Sequence, residues 1–360
     1  MAKAVHNKRL SELDALRGIA ALAVVLFHFT FGYDNGFHAI SPGKFYFTYG
    51  YLGVNLFFMI SGFVIFMTLE KTKNTADFAI SRFSRLYPAY WTAIILTILL
   101  TTVLAAPIEK GIFSTKQVLV NFTMLQYFFK VKDVDGSYWT LAVELTFYFL
   151  MWIIFKIKKL NYVEWFCLAW LIAAVVVTAF NVPLKKYLNV IFIFSYAPLF
   201  VAGVLFYRLK KRGEGIFLHV LIFISLLSEL YMVYAVKSVI TSTYNSSIIP
   251  YVAIIIFYIT FYLFVYHRLT FLSTRVLLFL GGISYSLYLI HETIGYGIIY
   301  WLKQVLDYQV FYIPITISIV VTLAYFINIY VEKPAMNQIR KYYKKKEGTS
   351  TGISIADKPA

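Results

Sequence analysis

Long apolar runs separated by short polar stretches, most of them basic, set the pattern of this chain. A bilayer-spanning helix needs about 20 mostly apolar residues. Runs near residues 14–33, 52–69, 86–105, 137–155, 163–180, 188–207, 215–236, 248–266, 282–302 and 309–331 are of that kind. The pattern predicts an all-α, polytopic membrane protein with about ten transmembrane helices. A shorter apolar stretch, 114–129, is interrupted by Asn121 and Gln126 and reads as an interfacial or re-entrant helix. The first run carries Asp14, Arg17 and His28, and nine runs follow it, so it reads as a retained helix and not a cleaved leader. No Pro/Gly/Ser-rich linker and no clear internal repeat divide the spans. Residues 1–335 are therefore expected to form one transmembrane domain, and 336–360 a basic, disordered cytoplasmic tail.

Composition supports the same reading. Hydrophobic residues make up 60% of the chain and charged residues 14%, against roughly 45–50% and 25% in soluble domains. A soluble core cannot hide that much apolar surface, so the lipid bilayer is the first partner and a multi-pass place in the cell membrane is expected. The single cysteine, Cys167, excludes an intrachain disulfide. A net charge of +16 raises the question of nucleic acid. The basic residues, however, lie between apolar runs and not in one patch, which is a topology signal. With both termini in the cytoplasm, the outer loops hold Lys44, Lys110, Lys116, Lys130, Lys132, Lys185, Lys186, Lys237 and Lys303, and the other 24 of the 33 lysines and arginines face inward. That bias obeys the positive-inside rule. Nucleic acid is not an expected partner.

Ionisable groups inside spans are costly and are usually kept for function. Arg17 and His28 are eleven residues apart, almost three helical turns, and so lie on one face about 16 Å apart along the axis. Asp14 precedes Arg17 by three residues on nearly the same face. The fourth span enters with Tyr138-Trp139 and carries Glu144 at a depth close to that of His28. A carboxylate orienting an imidazole makes a general-base pair; the alternative is a buried pair that only locks two helices. At the inner mouth of the third span, Arg82 and Arg85 share a face. Guanidinium forks suit phosphate; the alternative is ordinary topological anchoring. In the ninth span Ser284, Tyr288, His291 and Gly295 form a polar stripe at helical spacing, either lining a substrate path or bracing the site. Gly53, Ser61 and Gly62 allow close helix approach. No paired Cys/His spacing appears, and no metal is expected.

These segments together resemble acyltransferase family 3, the integral-membrane acyltransferases. The pieces that carry the resemblance are Leu13-Asp14-Ala15-Leu16-Arg17-Gly18 with His28, the run Gly53 to Phe63, Arg82-x-x-Arg85-Leu86-Tyr87-Pro88, Tyr138-Trp139-Thr140-Leu141-Ala142-Val143-Glu144, Ile283 to His291, and Val331-Glu332-Lys333-Pro334. Residues 156–270 carry little of it. The resemblance implies a ten-helix core and transfer of acyl groups, often acetyl, to sugars or surface polysaccharides. It implies that His28 is the catalytic histidine and that Arg17, Arg82 and Arg85 are donor-side residues. Glu292-Thr293 follow His291 where members often carry a proline two positions on. The expected chemistry is transfer from cytoplasmic acyl-CoA, such as acetyl-CoA, to a hydroxyl of an extracytoplasmic glycan or lipid-linked sugar. The rival class is a transporter or flippase for a lipid-linked sugar, which should show repeat symmetry between halves.

Overall fold

In a computed structural model, residues 10–37, 44–103, 113–180, 182, 184–213, 215–235 and 247–353 are described, and all their regular structure is helical. Helices α1 (Ser11–Phe27), α2 (Tyr33–Gly36), α3 (Gly53–Lys71), α4 (Thr75–Val103), α5 (Thr115–Asn121), α6 (Trp139–Lys156), α7 (Val163–Ala179), α8 (Lys185–Phe192) and α9 (Ala197–Arg212) form the first part of the chain. After them come α10 (Ile216–Ala235), α11 (Ile249–Val265), α12 (Arg275–Ile290), α13 (Glu292–Val305), α14 (Tyr312–Ile327) and α15 (Lys333–Ile353). Eight helical segments among the described residues are long and apolar enough to cross a bilayer, or nine if the bent pair α12–α13 is one crossing. The shorter apolar α11 occupies the eighth expected run. Among the described residues each of the ten apolar runs is thus mainly helical, the sixth being interrupted at 193–196 between α8 and α9. The outer lysines Lys110 and Lys237, and residues 354–360, lie outside the described residues.

Three expectations are corrected. The ninth run is not one straight span: α12 and α13 meet at His291 with a bend of 75°. The third run, expected from residue 86, starts earlier: α4 opens at Thr75 and holds Pro88 in its interior. The segment from 336 onward is helical as far as Ile353, where disorder was expected. Its Lys, Arg, Gln and Glu residues are good helix formers, and Arg340 ties it to Ser81 and Ser84.

Contacts divide the chain into two units interleaved in sequence, which is why no linker is visible. Unit 1 is Met1–Met67, Thr146–Tyr148 and Leu160–Ser284; unit 2 is Thr68–Leu145, Phe149–Lys159 and Tyr285–Ala360. In unit 1, α9 is buried from Ala197 to Leu209 and packs against α7, α10 and α11. Phe200 stacks on Phe147 with ring centroids 4.3 Å apart. A Cβ added to Gly203 would lie 2.1 Å from the Met59 carbonyl oxygen, so only glycine lets α3 and α9 touch backbone to backbone there. At the end of α9, Arg208 Nε donates to Glu164 Oε1 at 2.6 Å, and Arg212 reaches the same oxygen at 3.1 Å. That pairing lets a charged Arg208 be buried at all. In unit 2, α4 packs against α13, α15 and the turn 328–332, while α13 packs on α14. Large apolar side chains such as Phe149, Trp165, Phe223 and Ile256 point outward in both units, as lipid-facing positions do.

Candidate functional site

The residues singled out by sequence fall into both units. Asp14, Arg17, His28 and Ser284 belong to unit 1; Arg82, Arg85, Tyr138, Trp139, Glu144, Tyr288 and His291 belong to unit 2.

In unit 1, α1 carries Ser11, Glu12, Asp14 and Arg17 in its first two turns and is apolar beyond them. Arg17 Nη1 stands 3.5 Å from Asp14 Oδ1, an i,i+3 pair on a half-buried surface. Asp14 also lies under Gly281, where an added Cβ would fall 1.9 Å from the Asp14 carbonyl oxygen. His28 is half-buried and opens a π-helical turn, His28–Gly32. Its backbone N–H is shared between the carbonyls of Val24 and Val25, and its ring meets Phe27 edge-on with centroids 4.9 Å apart. Such π turns interrupt α-helices mostly at functional positions. Beyond the turn the chain is pinned: Phe47 N donates to Thr30 Oγ1 at 2.9 Å, and buried Asp34 accepts from Lys44 and Tyr46. Ser284 Oγ donates to the Gly281 carbonyl of its own helix, which favours a structural role.

In unit 2, the centre of the arrangement is the break at His291. A continuous helix would bond the Thr293 N–H to the Leu289 carbonyl. The bend separates the two, and both find new partners from the segment before α6. Asp135 Oδ2 accepts from Thr293 N at 2.8 Å, and Tyr138 Oη donates to Leu289 O at 3.1 Å. The freed Tyr288 carbonyl accepts from His291 Nδ1 at 2.8 Å and from Ser137 Oγ at 3.3 Å. Asp135 Oδ1 in turn holds Ser137 N at 3.0 Å and Ser137 Oγ at 2.5 Å. Tyr288 Oη lies 2.8 Å from Thr140 Oγ1. The Thr293 amide and the Leu289 and Tyr288 carbonyls at the opened turn are thereby bonded, as a helix broken within a membrane requires. A Cβ on Gly136 would lie 2.2 Å from the Glu292 carboxylate, so a side chain there would push aside the end of that flexible glutamate.

The consequences for His291 are definite. It is wholly buried. A carbonyl oxygen only accepts, so Nδ1 carries the proton, and in the neutral ring Nε2 is the basic nitrogen. Glu144 is half-buried on α6. Trp139 is half-buried at the start of α6. Glu332, in a second π turn, Asn328–Glu332, accepts from Ser286 at 2.7 Å and from Asn328 at 2.9 Å. Arg82 and Arg85 are half-buried on α4, with Arg82 over the Phe78 ring at 5.9 Å.

Sequence reasoning missed Asp135, Ser137 and Thr140. The signal was present: Asp135-Gly136-Ser137 is a turn signature with an Asp placed to accept from backbone amides.

A helical, multiply spanning body with ionisable side chains set into its spans defines a polytopic membrane protein with chemistry inside it. A family model described as "Acyltransferase domain" matches residues 10–328, and the chain belongs to that acyltransferase family. Relatives include the peptidoglycan O-acetyltransferase OatA of Listeria monocytogenes, 28% identical over 174 residues that make up 44% of this chain and 26% of the relative. The putative peptidoglycan O-acetyltransferase YrhL of Bacillus subtilis is 28% identical over 43% of this chain and 25% of its own length. The exopolysaccharide production protein ExoZ of Rhizobium meliloti is 30% identical over 31% of this chain and 36% of its own length. The matched part thus spans between a quarter and about a third of these relatives. No solved structure matches the chain.

Proposed function

We propose that this protein moves an acyl group, acetyl in the first instance, from cytoplasmic acyl-CoA to a hydroxyl of an extracytoplasmic sugar or cell-surface glycan. The observation that carries the reading is the match to the acyltransferase family over residues 10–328, a stretch that includes Arg17, His28, Arg82, Arg85 and Glu144. The relatives named for peptidoglycan O-acetylation and exopolysaccharide production favour a surface glycan as acceptor.

In the proposed reaction the acceptor hydroxyl oxygen attacks the thioester carbonyl carbon and the C–S bond breaks. The hydroxyl proton passes to His28 and then to the departing CoA thiolate, giving an ester and free CoA. Glu144 holds the His28 imidazole in the orientation needed for a base. An alternative order uses the same residue: His28 first takes the acyl group and then yields it to the acceptor. Arg17, Arg82 and Arg85 hold the donor phosphates, since planar guanidiniums bind phosphate bidentately.

The test uses the purified full chain in nanodiscs with radiolabelled acetyl-CoA and a soluble chitooligosaccharide. Free CoA and an alkali-labile sugar ester should appear in equal amounts. Movement of a sugar lipid across a bilayer without consumption of acetyl-CoA would replace the enzyme reading with that of a transporter.

A further inference from the structure

Three arginines gather around two serines in unit 2. Arg82 Nη2 donates to Ser81 Oγ at 3.1 Å. Arg340, from α15, donates through Nε to Ser84 Oγ at 3.1 Å, and through Nη2 to Ser81 O at 3.2 Å and Ser81 Oγ at 3.4 Å. Arg82 and Arg340 therefore share one serine hydroxyl. Arg85, one turn along α4 from Ser81, is near enough for its charge to act on Arg340. Ser84 is completely buried, so Arg340 is docked into the helix pair and does not trail in water.

Like charges brought this close repel, and the more so away from water. Among the described residues neither Arg85 nor Arg340 forms an ion pair with a carboxylate. Topological anchoring explains arginines at a membrane boundary, but not a guanidinium from another helix held by three hydrogen bonds to Ser81 and Ser84, beside Arg82. A multiply charged anion with several acceptor oxygens removes the repulsion and uses the remaining donors. Arg340 lies beyond residue 328, where the match to the family ends.

We propose that Arg340 completes, with Arg82 and Arg85, a phosphoryl-binding site that takes the nucleotide phosphates of acyl-CoA. This assignment of the ligand rests on the donor reading above. The site itself rests on the guanidinium cluster.

The test is calorimetry on the full chain in phosphatidylcholine nanodiscs, titrated with CoA, with inorganic pyrophosphate and with pantetheine, which lacks the nucleotide phosphates. Wild type is compared with Arg340→Ala, Arg340→Gln and Arg340→Lys. Loss of a charge-assisted bond predicts a fall of about ten- to a hundredfold in CoA and pyrophosphate affinity for Ala and Gln. Lys should recover part of it, and pantetheine binding should not change. Gln keeps a donor for Ser84 and so separates loss of charge from loosening of α15. It carries the test if the Ala variant does not fold. A folded Arg340→Gln with wild-type affinity for CoA and pyrophosphate overturns the proposal, as does a wild type that binds neither. Arg340-dependent binding of pyrophosphate without any binding of CoA keeps the phosphoryl site and removes the donor reading. Loss of wild-type CoA and pyrophosphate binding in nanodiscs containing phosphatidylglycerol would give the site to a lipid headgroup and contradict CoA as its occupant.

Discussion

Asp133 lies half-buried in the loop before α6, where its Oδ1 accepts from Gln126 Nε2 at 2.7 Å. Burial pushes its pKa up from 3.8 to about 6; the Gln126 hydrogen bond opposes the rise and the Asp135 charge adds to it. A carboxyl whose folded pKa is raised contributes stability that is complete below its unfolded value and is lost as pH rises through the folded one. The loop should therefore be most firmly held below about pH 4 and lose that contribution by the time pH has passed 6. Hydrogen exchange of residues 117–134, corrected for intrinsic rates, should show more protection at pH 5 than at pH 7.5. In Asp133→Asn the difference should vanish, and its persistence would assign the effect to another group. At this scale the sequence reveals which residues are out of place, such as His28 and Glu144 in apolar runs. It does not reveal an Asp133 whose pKa is raised by burial in a folded loop, beside Gln126 seven residues away.

Helical runs are legible because an apolar stretch of about 20 residues admits few other structures in lipid. Among the described residues all ten expected runs are mainly helical for that reason. The interruptions are not legible, because they are settled by partners distant in sequence. The 75° bend at His291 needs Asp135, Ser137 and Tyr138 to receive the groups it frees, and a 3.6-residue period cannot report that. Both π turns overlap segments that carry the family resemblance, at His28 and at Val331-Glu332, yet their sequences read as ordinary helix. Asp135 gives the bend a direct test. Its bond to the Thr293 amide is charge-assisted and buried, so Asp135→Ala should destabilise the fold by about 1.5–3 kcal/mol, and Asp135→Asn, which keeps an acceptor oxygen, by less. Unfolding in mixed detergent measures the loss. Amide exchange at 292–295 should rise together with it, and unchanged exchange there would mean that Asp135 does not hold the bend.

For the whole molecule, the distribution of basic residues predicts one orientation, with Lys130 outside and Lys341 inside. Both are exposed, and Cys167 is buried. In a Cys167→Ala background, Lys130→Cys in intact cells should react with an impermeant thiol reagent, whereas Lys341→Cys should react only after lysis. The reverse pattern would put the arginines of α4 on the wrong side for a cytoplasmic donor. The division into two interleaved units was not legible from sequence, because contacts and not linkers define it. The most direct measurement is ester formation from radiolabelled acetyl-CoA by wild type and by His28→Ala in nanodiscs, matched for folded protein by thermal unfolding. Loss of a general base or acyl carrier predicts a fall of at least about a hundredfold, with CoA affinity unchanged. Near-normal ester formation by folded His28→Ala would contradict it.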